Sequence, residues 1–166
     1  MQVLITMMGR STWGLFNSVW ASIRVWQYLP DKVYILTASC DKDQAERAAK
    51  MLSILLTEHG SKGEIVIQVV SAEEVGDIAK VVKEITSKEK VGGNQVALDV
   101  TPGKKATVLG SVLSGMAKND FDRIFYLYIE SLKNADRAFL EIPMALQHPH
   151  DILAEVHLTA KGKEGR

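Results

Sequence analysis

The sequence predicts an α/β fold, a Rossmann-like three-layer domain with a mainly parallel sheet and an antiparallel edge after the fifth strand. Short apolar runs of strand length alternate with longer segments of helical period as far as Ile129. The runs themselves alternate little between apolar and polar, as expected of parallel strands covered on both faces. A chain of 166 residues that is 46% apolar also suffices for one domain with a sizeable core.

Taken in order, Val3 to Met8 is the first strand, with Met7 and Met8 read as core filler at its end. Phe16, Val19, Trp20 and Ile23 then fall on one helical stripe. Val33 to Ala38 is the second strand, followed by a helix with the stripe Ala45, Ala48, Ala49, Leu52, Leu55 and Leu56. Asp41 stands where that helix wants a cap, and Gly60 follows its end. Ile65 to Val70 is the third strand. The next helix carries Val75, Ile78, Ala79, Val82 and Ile85, with Ser71 as its expected cap and Gly92-Gly93 behind it. The mixed charges of Lys80 to Lys90 read as its solvated face. Gln95 to Val100 is the fourth strand, Leu109, Val112, Leu113 and Met116 form the fourth stripe, and Arg123 to Ile129 is the fifth strand.

Beyond Ile129 the composition shifts. Ser131 to Arg137 is mostly polar, and the segment after it reads as a return strand on the sheet edge, which Pro143 and Pro149 suit. A short element around Ile152 to Leu158 follows. The domain is expected to span 1–160, with 161–166 as a flexible tail. Gln147-His148-Pro149-His150 reads as an exposed turn rather than a metal site, because Asp151 is its single acidic neighbour.

Twenty basic and twenty acidic side chains cancel, so no global positive field holds long nucleic acid. A small anion held by local donors remains open. Cys40, the sole cysteine, excludes an internal disulfide and fits a reducing cytoplasm. Met1 to Met8 is too short for a membrane span and has no basic start, so the reading is a soluble cytoplasmic protein without membrane association.

Right-handed crossovers most commonly arrange five such strands with a reversal between strands 1 and 4, and ligands bind beyond the carboxyl ends of the strands at that reversal. The loops meeting there are Gly9-Arg10-Ser11-Thr12-Trp13 and Thr101-Pro102-Gly103-Lys104-Lys105. The first offers hydroxyls, a guanidinium and helix-start amides, suited to a phosphate as well as to a plain N-cap. In the second, Pro102 and Gly103 impose a tight turn, and two lysines then open a helix. Lysines there oppose the helix dipole at roughly a few tenths of a kcal/mol each, a cost a bound anion would relieve. Trp13 adjoins this site and could stack on a base, whereas Trp20 belongs to its helix's core stripe.

The same loops argue against commoner nucleotide sites. Gly9 and Gly14 do not make the G-x-G-x-x-G of a dinucleotide-dependent oxidoreductase, although Asp41 falls just beyond strand 2. No P-loop is present, since Ala106 follows the lysine pair where Ser or Thr belongs. Ser11 lacks the second glycine of the G-x-S-x-G nucleophile elbow.

Asp99-Val100-Thr101-Pro102-Gly103-Lys104-Lys105, after a buried strand and before a helix, resembles the signature of the CRISPR-associated Rossmann fold (CARF) family, whose members sense cyclic oligoadenylates. Met7-Met8-Gly9-Arg10-Ser11-Thr12 fills the place of that family's first loop, and the element order agrees over about residues 1–145. The resemblance implies a homodimer with a symmetric pocket for cyclic oligoadenylate, most often cyclic tetra-adenylate. It also implies, in members that degrade the ring, metal-independent cleavage to a 2′,3′-cyclic phosphate. Ser11 and Lys105 match the catalytic positions. Gly9, Arg10, Thr12, Trp13, Thr101, Pro102, Gly103 and Lys104 match ligand-binding ones, and Asp99 is expected to tie down the loop. No cofactor or metal is implied. A ring nuclease antiviral enzyme and the non-catalytic sensor portion of a larger effector both fit. The lysine and the lack of an attached output domain favour the former, and the polar 161–166 end, resembling a linker, favours the latter.

Overall fold

The structure, a computed structural model, describes residues 1–71, 74–116 and 120–161. Five parallel strands and one antiparallel strand form a single sheet in the order β3-β2-β1-β4-β5-β6. The strands are β1 (Gln2–Met7), β2 (Lys32–Thr37), β3 (Glu64–Val69), β4 (Gln95–Asp99), β5 (Arg123–Ile129) and β6 (Gln147–Asp151). The helices are α1 (Thr12–Trp26), α2 (Lys42–Glu58), α3 (Val75–Val91), α4 (Lys105–Met116) and α5 (Ile152–Lys161).

Each parallel strand of the sequence reading is present, within a residue at either end. The direction of winding reverses at β1, which pairs in parallel with β2 on one side and β4 on the other. The carboxyl ends of β1 and β4 are thereby neighbours, and the two expected loops leave the sheet side by side.

Side-chain alternation along β1 builds two cores. Leu4 joins Leu15, Val19, Leu52 and Leu56 under α1 and α2, while Val3, Ile5 and Met7 join Ile78, Val82 and Val108 under α3 and α4. Both faces of β1 are closed, which explains its uninterrupted apolar run. At the edge, β3 is only half-buried.

Four expectations change. On α4, Leu109 and Leu113 are 55% and 57% exposed, whereas Thr107, Gly110, Ser111 and Gly115 are buried. Small residues line the inner face because α4 packs closely on α3: a Cβ at Gly110 would lie 2.9 Å from the Val75 carbonyl oxygen. Second, Gln147 to His150 is not a turn but part of β6, pairing antiparallel with β5 so that Tyr126 faces His150 and Tyr128 faces His148. The imidazoles stack on the phenol rings, with centroids 6.2 and 5.9 Å apart. Third, Ser71 does not cap α3, which begins after Glu74. Its N–H instead donates to Asp77 Oδ2 at 3.1 Å.

Fourth, Glu89 is not solvated. It is 4% exposed, accepts the Tyr34 hydroxyl at 2.6 Å and the Asn94 amide at 2.7 Å, and faces Lys32 at 3.6 Å. Burial opposes its ionisation, yet these partners hold its carboxyl below the ordinary range. Helix α5 carries the element expected near Ile152 as far as Lys161, and positions 162–166 of the expected tail lie outside the described residues. No helix is long and apolar enough to cross a membrane among the described residues.

Candidate functional site

Beyond the carboxyl ends of β1 and β4 lies an open cavity of about 720 Å3, lined by Gly9, Arg10, Ser11, Gly14, Thr101, Pro102, Gly103, Lys104 and Lys105. Eight of the ten site residues expected from sequence therefore meet in one place; Thr12 and Trp13 are not among the lining residues. Trp13 packs edge-on against Phe16, with ring centroids 5.7 Å apart.

The cavity exists because two backbones touch. A Cβ at Gly9 would collide with the Pro102 carbonyl oxygen, and one at Gly103 would collide with the buried Met7 side chain and come within 2.5 Å of Val108. Glycine at both positions lets the loops close on each other and on the sheet.

Beneath them sits Asp99, at the end of β4 and 1% exposed. Its Oδ1 accepts the Thr101 N–H at 3.0 Å, which ties the second loop to the strand. Its Oδ2 meets the hydroxyls of Thr6 at 2.8 Å and Ser18 at 2.6 Å, joining β1, α1 and β4. Thr101 in turn accepts the Leu127 N–H at 2.9 Å, so its side chain braces the loop against β5. Thr6 and Ser18 escaped the sequence reading because a hydroxyl within an apolar run carries no mark of a distant partner.

Burial pushes the Asp99 carboxyl above its ordinary range, against the opposing hydrogen bonds from Ser18, Thr101 and Thr6. With the folded value raised, Asp99's contribution is fully present below the unfolded pKa of about 3.9 and is lost as pH climbs through the folded value. The stability of wild type minus that of Asp99→Asn should therefore fall as pH rises through that window and then level off. Urea midpoints measured at a series of pH values test this, and a difference that grows with pH would overturn it.

Charge in the cavity is cationic. Ser11 occupies the N-cap of α1 in extended geometry, and its Oγ accepts the Gly14 N–H at 3.3 Å, leaving the hydroxyl proton free to donate. The capping role and a place in the cavity thus coincide. Lys105 opens α4, so two helix amino ends meet at the site, where their dipoles favour an anion. Lys104 Nζ lies 2.7 Å from Asp41 Oδ2, a bond that pushes the lysine's pKa up, while Arg10 opposes the shift. No ion-pair partner is found for Arg10 or Lys105 among the described residues.

Asp41 is the contributor that sequence reasoning placed elsewhere, as the α2 cap. It holds the N-cap position but makes no side-chain cap bond, because the preceding 3-10 turn (Ser39–Asp41) sets its backbone at φ −103° and ψ 9°, away from extended cap geometry. Its carboxylate reaches Lys104 instead. The usable signal was topological: β2 neighbours β1, so the loop after β2 emerges at the same sheet edge.

A smaller and more apolar groove of about 330 Å3 lies near the other end of α1, between Arg24 and Val25 and the segment carrying Phe139, Leu140 and Met144. It lacks the convergent cations of the switch-point cavity. Among the described residues no group of three or more His, Cys, Asp or Glu side chains is arranged to hold a metal; His148 and His150 instead pair with Glu130 at 2.9 Å and Glu155 at 3.0 Å.

No protein-family model and no curated protein matches the chain. Solved structures share its fold. Can2 from Sulfobacillus thermosulfidooxidans, in complex with cyclic tetra-adenylate, superimposes with a TM-score of 0.56 at 17% identity, over 76% of this chain and 32% of Can2. Csm6 from Enterococcus italicus, bound to cyclic hexa-2′-fluoro-hexa-dAMP, gives 0.61 at 16% identity, over 98% of this chain and 44% of Csm6. A Type III CRISPR defence DNA nuclease activated by cyclic oligoadenylate gives 0.56 at 16% identity, over 77% of this chain and 19% of the nuclease. The chain thus spans less than half of each protein, and what is common is the Rossmann-like fold expected from the alternation of strand runs and helical stripes.

Proposed function

We propose that this chain binds cyclic oligoadenylate, in the form of cyclic tetra-adenylate, and cleaves the ring without a metal ion. The observation that carries this reading is the convergence of Arg10, Lys104, Lys105 and two helix amino ends on one open cavity at the β1/β4 switch point. The binding part of this reading is supported by neighbours of the same fold that are bound to cyclic tetra-adenylate or to a cyclic hexanucleotide, or are activated by cyclic oligoadenylate.

The ligand also implies a second copy. A cavity of this size encloses something drug-sized, whereas a ring of four nucleotides is several times larger, so one protomer's cavity holds only part of it. A two-fold ring matches an isologous dimer in which each copy supplies the same two loops. Exposed Leu109 and Leu113 on α4, with Tyr126 and Tyr128 on the sheet face, offer apolar surface for such a pairing.

In the reaction, a ribose 2′-oxygen attacks the adjacent phosphorus and loses its proton to solvent. The phosphorus bond to the 5′-oxygen breaks, that oxygen takes up a proton, and the product ends in a 2′,3′-cyclic phosphate. Ser11 donates its free hydroxyl proton to a non-bridging oxygen and fixes the phosphodiester for in-line attack. Lys105, at the mouth of α4, offsets the charge that builds on the phosphorane and the leaving oxygen. Arg10 holds a neighbouring phosphate.

Sensing without cleavage is the second reading, supported by the chain's likeness to less than half of each longer neighbour. Incubation of the purified protein with cyclic tetra-adenylate in chelator, with product separation and mass measurement of the complex, distinguishes the two. Linear products with 2′,3′-cyclic phosphate ends and a mass of two chains per ring are expected. Tight binding with an intact ring would leave a sensor, and no binding would overturn both readings.

A further inference from the structure

We propose that Asp41 is a positioning residue that withholds Lys104 from the ligand and so sets how many cations the cavity offers. The inference rests on the reading of the cavity as a polyanion site. Lys104 lines the cavity, yet its ammonium is bonded at 2.7 Å to a carboxylate from the loop after β2. The partners are 63 residues apart, on loops that flank β1 from opposite sides. The pair draws the amine toward the β2 side, away from the β4 side where Lys105 begins α4.

Three features make the arrangement more than a surface ion pair. The Asp41 side chain is 23% exposed and that of Lys104 42%, so the bond is partly shielded from solvent. The backbone set by the 3-10 turn keeps the Asp41 carboxylate from capping α2, so it is available to Lys104. Arg10 pushes against Lys104, so a carboxylate at this point also relieves repulsion between two cations of the cavity. A phosphate entering the cavity competes with Asp41 for Lys104. The carboxylate thereby lowers the affinity of the site, a useful property where a bound ring must be turned over or released.

The consequence is readable in salt dependence, which counts phosphate contacts. Binding of cyclic tetra-adenylate to the full chain is measured across a salt series for wild type, Asp41→Asn, Asp41→Ser, Lys104→Met and the Lys104→Met/Asp41→Asn double variant. Freeing Lys104 adds one contact. Asp41→Asn and Asp41→Ser should each bind about tenfold more tightly at low salt, with the slope of log K against log salt steeper by about 0.7. In the Lys104→Met background the Asp41→Asn change should leave the slope where it was. Weaker binding in both Asp41 variants, or an unchanged slope, overturns the proposal and makes Asp41 a support that presents Lys104 to the ligand.

Inorganic tripolyphosphate is titrated in parallel, because it probes the cations without the nucleoside. If wild type ignores cyclic tetra-adenylate while Asp41→Asn strengthens tripolyphosphate binding with the steeper slope, the ligand assignment fails and the role of Asp41 stands. If the ring binds and neither probe responds to Asp41, the role of Asp41 fails alone.

Discussion

Alanine at position 9 is expected to cost the protein its cavity while leaving the sheet assembled. The Cβ it adds would overlap the Pro102 carbonyl oxygen, and that obstacle is backbone, not a side chain able to turn away. Overpacking of a tight site costs about 1–3 kcal/mol, and the upper end applies where no rotamer relieves the clash. For a domain of this size a loss of about 3 kcal/mol lowers the melting temperature by roughly 6–12 °C. Relief comes only from moving the two loops apart, which separates Arg10 and Ser11 from Lys104 and Lys105. Binding of cyclic tetra-adenylate should weaken and its cleavage should slow about a hundredfold, beyond what the lost stability explains, because misplacing a reacting geometry by about 1 Å is enough for a loss of that size. Gly14→Ala is the matched control. Its Cβ would stand 3.8 Å from Ser11 Cβ and 4.0 Å from Pro102 Cβ, both ordinary contacts, and alanine within α1 should raise stability by up to about 1 kcal/mol. Calorimetry and ligand titration of the two variants separate a role in loop apposition from a general intolerance of change. Equal binding by both would refute it.

The contrast between Gly9 and Asp41 shows which parts of this site sequence can reveal. A strand order governed by right-handed crossovers is legible from five apolar runs, and it puts the loops after β1 and β4 together before any coordinate is known. The lysine pair behind Pro102-Gly103 is legible for the same reason, since a turn followed by cations at a helix start is a local pattern. Side-chain destinations are not local. Asp41 looked like a cap because its position is a cap position, and only the 3-10 turn before it, which periodicity does not announce, turns its carboxylate toward Lys104. Thr6 and Ser18 needed Asp99, 93 and 81 residues away, to have meaning. Helix α4 misled in the opposite direction. Its large residues form a clear stripe, but close approach to α3 demands small side chains, so Gly110 and Ser111 face inward and Leu109 and Leu113 face out. The edge strand β6 was expected in kind but not in place, because Pro149 between two histidines is a turn signature that an edge position also tolerates.

Lys105→Ala is expected to remove cleavage while sparing most of the binding. Lys105 stands at the first position of α4 with its side chain exposed and, among the described residues, without an ion-pair partner, so its loss leaves no buried group stranded and stability should change little. Its contribution to the bound ring is shared with Arg10 and with two helix amino ends, and affinity should weaken less than about tenfold. The transition state asks for more. Charge accumulates on the phosphorane and the departing 5′-oxygen, and a cation placed where that charge develops contributes differentially, with losses of about 10²–10³ in rate when such a group is removed. Single-turnover cleavage with protein in excess isolates the chemical step from binding and release. Lys105→Arg retains charge with altered geometry and should fall between wild type and alanine. The paired Lys104→Ala variant decides whether the two lysines divide the work: with Lys104 engaged by Asp41, its loss should lower the rate much less than that of Lys105. Matched losses of rate and affinity in Lys105→Ala would make the residue a ground-state anchor, and an unchanged rate would move the catalytic cation elsewhere in the cavity, with Arg10 the next to substitute.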